Sequence, residues 1–132
     1  MNPTGAGIGI TGLGQIAINA KDVERAAVFY QEKLGLKLLF KAPPGLAFFD
    51  CGGVRLMLDH AGKPEFDHLS SVLYFAVPDI RSAYGKLKEK GVLFEDEPHV
   101  IAKMPSHDLW MTFFRDSEGN LLALMSEVAR AA

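Results

Sequence analysis

The sequence predicts an α+β fold made of two βαβββ modules, and three observations carry that prediction. First, Leu109–Glu127 (LWMTFFRDSEGNLLALMSE) sets two short apolar runs around the turn formers Asp116-Ser117-Glu118-Gly119-Asn120. Gly119 can take the positive φ of a bulged hairpin loop, and runs this short read as strands. Second, a strand–cap–helix pattern recurs. Asp22 and Asp79, Val23 and Ile80, Ala26 and Ala83, and Gln15 and Val72 all stand 57 residues apart. One offset held across strand, cap and helix marks an internal repeat. Third, each half carries one amphipathic helix, enough to cover one face of a small sheet.

The elements follow in order. Gln15–Ala20 alternates, with Ile16 and Ile18 on one face and Gln15, Ala17 and Asn19 on the other. Asp22 is an N-cap residue, and Val23, Ala26, Ala27, Tyr30 and Leu34 follow at helical spacing up to Gly35. Leu36–Phe40 reads as a strand, and Pro43-Pro44-Gly45 breaks the chain. Leu46–Asp50 and Val54–Asp59 form a hairpin across Gly52-Gly53. His60–Ser70 is polar and reads as a linker. Val72–Val77 opens the second half. Asp79 caps a helix carrying Ile80, Ala83, Tyr84 and Leu87, and Val92–Phe94 opens the next strand. His99–Met104 is a further strand before the terminal hairpin. Two such sheets side by side give a curved surface with helices outside and a concavity inside, where small ligands usually bind.

Composition narrows the function classes. The chain has 132 residues, 48% of them apolar, and a net charge of −2 with scattered Lys and Arg. That pattern gives no nucleic-acid or membrane footprint. The single cysteine, Cys51, cannot form an intramolecular disulfide, and cytoplasmic is the default location. The glycine-rich Gly5–Gly14 is not a nucleotide loop, because no strand precedes it and no helix follows at once.

The element QIAINAKDVERAAVFYQEKLGL, its echo VLYFAVPDIRSAYGKLKEKGV and the terminal FFRDSEGNLLALMSE resemble the vicinal oxygen chelate superfamily. That superfamily includes glyoxalase I, bleomycin- and fosfomycin-resistance proteins, extradiol dioxygenases and methylmalonyl-CoA epimerase. The resemblance runs from about Gly12 to Glu127. It implies modules over 12–60 and 70–128 in one structural domain, forming a U-shaped mixed sheet around a cavity, often in a homodimer. It also places the metal ligands of the family's enzymes on the first and last strands of each module. Here those positions fall on Gln15, Met57, Val72 and Ala123. Only Gln15 could serve as a typical ligand, since a hard divalent cation gains nothing from thioether, isopropyl or methyl groups. No metal and no cofactor are therefore expected.

Strand alternation groups Gln15, Ala17 and Asn19; Arg55, Met57 and Asp59; Val72, Tyr74 and Ala76; and Leu121, Ala123 and Met125. With the family geometry, these sets face the cavity. The expected ligand contacts are Gln15, Asn19, Arg55, Met57, Tyr74, Trp110, Met111, Phe113 and Ala123, with Phe114 in the core. His99, His107 and Tyr74 are the candidate acid–base groups. His60 and His68 read as linker surface residues. The favoured function is a metal-independent small-molecule binding protein for an apolar or aromatic compound. The alternative is a metal-free isomerase, lyase or hydrolase using a cavity His or Tyr. A metal-dependent lyase or dioxygenase ranks last.

Overall fold

Alternating Ile16 and Ile18 give β1 (Gln15–Asn19) in the computed structural model, which describes residues 8–9, 11–43, 45–60 and 70–130. Pro44, most of the expected linker with His68, and Gly5 and Gly7 of the glycine-rich stretch lie outside the described residues. Asp22 holds extended backbone, and its carboxylate accepts the Arg25 N–H at 3.1 Å, which starts α1 (Val23–Val28). Asp79 does the same for α2 (Ile80–Glu89), accepting from the Ser82 N–H at 3.1 Å. Each cap contributes about 1 kcal/mol.

The two helices end differently. The first widens into a π turn over Phe29–Lys33, where the Leu34 N–H donates to the Phe29 carbonyl at 3.2 Å. The offset between the repeats explains the widening. It is 57 residues at the caps, but the helix-ending glycines Gly35 and Gly91, both at positive φ, stand 56 apart. The first helical segment holds one extra residue, and the wide turn absorbs it. Adjacent Phe29 and Tyr30 are both buried, as are Ala26 and Ala27 before them.

The remaining strands are β2 (Lys37–Ala42), β3 (Leu46–Cys51), β4 (Val54–Asp59), β5 (Leu73–Ala76), β6 (His99–Lys103), β7 (His107–Arg115) and β8 (Leu121–Ala129). They form two four-stranded mixed sheets, ordered β1-β4-β3-β2 and β5-β8-β7-β6, with the β1–β4 and β5–β8 pairs parallel. Gly52 and Gly53 both take positive φ, 59° and 90°, as the tight turn between β3 and β4 requires.

The strand expected at Val92–Phe94 does not form. Phe94 makes only an isolated bridge to Phe114. The Asp96 carboxylate instead accepts the Phe113 N–H at 2.9 Å and the Thr112 hydroxyl at 2.8 Å, standing in for a strand. The chain then resumes pairing as β6.

One face of each sheet packs under the helices. Ile18, Phe49, Leu56 and Leu58 from the first sheet share a single buried cluster with Phe114, Leu122 and Leu124 from the second. The β7–β8 turn fastens the two halves. Buried Asp116 accepts the Tyr30 hydroxyl at 2.8 Å, the Asn120 amide at 2.9 Å, and the N–H groups of Glu118 and Asn120 at 2.8 Å each. Burial, then the Asp116 charge, pushes the Tyr30 phenol upward, so it stays a donor. Glu118 accepts Arg25 Nε at 2.7 Å and the Asp22 N–H at 2.9 Å. The Arg25 bond holds the Glu118 carboxyl down to about 2 from the ordinary 4.5.

Candidate functional site

The opposite sheet faces, which carry no helix, hold most of the residues that the sequence singles out. On the first sheet the register sets Ala17, Met57, Phe48 and Phe40 in one row across β1, β4, β3 and β2. Phe40 and Phe48 stack with centroids 4.5 Å apart. Two residues along the strands runs a polar row of Gln15, Arg55, Asp50 and Lys37. Arg55 Nε donates to Gln15 Oε1 at 2.7 Å, and its guanidinium carbon lies 5.4 Å from the centre of the Phe48 ring. Gln15 in turn donates to the Met57 sulfur at 3.7 Å. Asn19 closes the strand end, its N–H donating to Ser70 Oγ and its carbonyl accepting from Asn120.

On the second sheet, Tyr74, Ala123 and Phe113 are direct neighbours across β5, β8 and β7. Ala123 is 0% exposed. The Tyr74 and Phe113 rings meet edge to face with centroids 5.9 Å apart on either side of it. A larger side chain at 123 would have to part that pair. The next row is Ala76, Met125, Met111 and His99.

Three candidates behave differently from the expectation. Trp110 stands on the helix side, packed against the core cluster with the Arg81 guanidinium 5.1 Å from its ring. Its strand neighbours Thr112 and Phe114 are both buried, so alternation carries it away from Met111 and Phe113. His99 and His107 share the helix-free face of the second sheet but do not meet. His99 contacts the Glu97 carbonyl at 2.7 Å, while His107 lies 3.2 Å from Ser106 Oγ and 3.9 Å from Glu127. Asp108, beside His107 in sequence, binds Arg130 instead. Tyr74 on β5 is three strand spacings, about 14 Å, from β6 and His99. These three groups form no acid–base pair.

The donor set does not fit a divalent metal. Across from Met57 and Ala123 stand Ala17 and Tyr74, with Gln15 and Val72 two residues earlier. The Gln15 amide is engaged by Arg55 and Met57, and Ala123 is buried between two aromatic rings. Among the described residues no three His, Cys, Asp or Glu side chains gather where they could hold a cation.

Sequence reasoning did not single out Phe40, Phe48 or Asp50, although their places follow once the β3–β4 register is known. It also missed a groove of about 550 Å³ on the helix side, between the end of the first helical segment and α2. Leu36, Phe75 and Leu87 line it together with Lys33, Lys86 and Lys90.

Comparison with known proteins places this architecture. The sequence model of the Glyoxalase/Bleomycin resistance protein/Dioxygenase superfamily matches residues 12–124. The uncharacterized protein YurT of Bacillus subtilis (strain 168) is 28% identical over 126 residues, covering 84% of this chain and 95% of that protein. A superfamily member from Sphaerobacter thermophilus DSM 20745 superposes with a TM-score of 0.75 at 25% identity, over 89% of this chain and 98% of that one. TnmS3, an antibiotic binding protein from Streptomyces sp. CB03234, superposes with a TM-score of 0.74 at 23% identity, over 92% and 99% of the two chains.

Proposed function

This chain belongs to the Glyoxalase/Bleomycin resistance protein/Dioxygenase superfamily, and from that premise we propose that it is a small-molecule binding protein that works without a metal. The compound lies on the helix-free sheet faces, against Ala17, Met57 and Phe40 and near Tyr74 and Phe113. The observation that carries this reading is Ala123, a buried methyl between two aromatic rings at a position where the family's metal enzymes need a ligand. The same faces offer accessible apolar surface, with Phe40 48% and Tyr74 46% exposed. An antibiotic binding protein of the same fold is a precedent for ligand capture on such a scaffold. A second copy of the chain closes the site, and the protein acts in the cytoplasm as a homodimer. The enzyme alternative would use His99, His107 or Tyr74 singly, since the three lie apart on the helix-free face of the second sheet.

The test is fluorescence titration with the neutral probe N-phenyl-1-naphthylamine, run with elemental analysis. Saturable binding that Ala17→Trp abolishes is the expected result. No binding, or stoichiometric metal in the purified protein, overturns the proposal.

A further inference from the structure

We infer that the ligand is an aromatic oxyanion, a planar ring system bearing a carboxylate or sulfonate, and that Arg55 selects it. This rests on the binding role proposed above and adds the chemical class of the ligand. Arg55 is exposed on the helix-free face of the first sheet, yet its guanidinium is held. One contact is with the Phe48 ring, at 5.4 Å, and the other is Nε to Gln15 Oε1, at 2.7 Å. Gln15 is itself oriented, donating to the Met57 sulfur. Among the described residues, the two terminal nitrogens of Arg55 have no hydrogen-bond or ion-pair partner. Asp50 pairs with Arg55 in the register, but no salt bridge joins them. An arginine steadied through its Nε and one ring face presents its Nη groups as a fork, the geometry that matches an oxyanion.

The placement sets the ligand's shape as well as its charge. The apolar row of Ala17, Met57 and Phe40 lies two residues along the strands from Arg55. That is a separation of about 7 Å. A ring resting on the apolar row therefore puts an acidic group one ring-width away at the guanidinium. Neutral aromatics occupy the row but leave the fork unused. Lys37 stands at the far end of the polar row, with the Asp50 carboxylate between it and Arg55.

Two probes with one skeleton separate the ideas. The anion 8-anilinonaphthalene-1-sulfonate and the neutral N-phenyl-1-naphthylamine differ by a sulfonate, and both fluoresce on entering an apolar site. The wild type is expected to bind the anion at least about tenfold more tightly, a gap that shrinks at high salt. Arg55→Met keeps the apolar stem and brings the ratio of the two affinities close to one. Gln15→Leu, which leaves the charge but frees the guanidinium, gives an intermediate ratio. Equal binding of the two probes by the wild type overturns this inference while leaving the binding role intact. Failure of both probes removes the binding role itself. An unchanged ratio in Arg55→Met overturns the assignment to Arg55.

Discussion

The two hairpins that occupy equivalent places in the modules do different jobs. The β3–β4 turn is Gly52-Gly53, and it reverses the chain with no side chain available to hold anything. The β7–β8 turn is longer, and its Asp116, Glu118 and Asn120 reach across to Tyr30, Arg25 and Asn19 in the other module. One turn is local geometry, and the other is a clasp. The sheet faces differ in the same way. The first presents an oriented arginine beside an apolar row, whereas the second closes two rings over a buried alanine. The two halves share one framework, and polar side chains on single strands and turns make them unequal.

Substitutions can break or sharpen that contrast. The largest effect is expected from Asp116→Ala, which strands the buried Tyr30 hydroxyl and takes an acceptor from the Asn120 amide and from two part-buried backbone N–H groups. Loss of about 3–5 kcal/mol in urea unfolding is expected, since each stranded group costs ~1–3 kcal/mol. A loss within ~1 kcal/mol would mean that the turn is no clasp. Next comes a matched pair on the two faces. Ala123→Glu forces a carboxylate into a fully covered position and should cost about 3 kcal/mol. Met57→Glu, half-exposed and near Arg55, should cost under ~1 kcal/mol. Equal costs would erase the distinction between a filled face and an open one.

The smallest effect is on acid stability. Glu118 is held down to about 2, chiefly by its bond to Arg25, against an ordinary 4.5. The folded form therefore gains stability from this group above about pH 4.5 and loses it as pH falls toward 2. Arg25→Gln should flatten that stretch of the stability–pH curve. An unchanged slope would show that the Arg25 contact does not set the Glu118 titration.

Much of this was legible in the sequence, and the exceptions have physical causes. The caps Asp22 and Asp79, the alternation of β1 and the terminal hairpin are local signals, and each formed where expected. Alternation separates Trp110 from Met111 but does not say which set meets the helix; that depends on packing from other elements. The fate of Val92–Phe94 turned on the Asp96 side chain replacing a ladder bond, which no propensity encodes. The Arg55–Gln15 contact needs the β1–β4 register, a pairing of residues 40 apart in sequence.

The extra residue in the first helical segment has a consequence for how the modules can be exchanged. In a regular helix an insertion rotates everything downstream by about 100°. The wide turn confines that rotation, and Tyr30 still reaches Asp116. The repeat partner of Tyr30 is Leu87, which has no hydroxyl, and the repeat partner of the clasping turn is Gly52-Gly53, which has no carboxylate. The bond across the modules therefore has a direction, from the first helix to the last hairpin. A chain stitched from two copies of either half would keep the strand order and lose the lock, so neither half can stand in for the other.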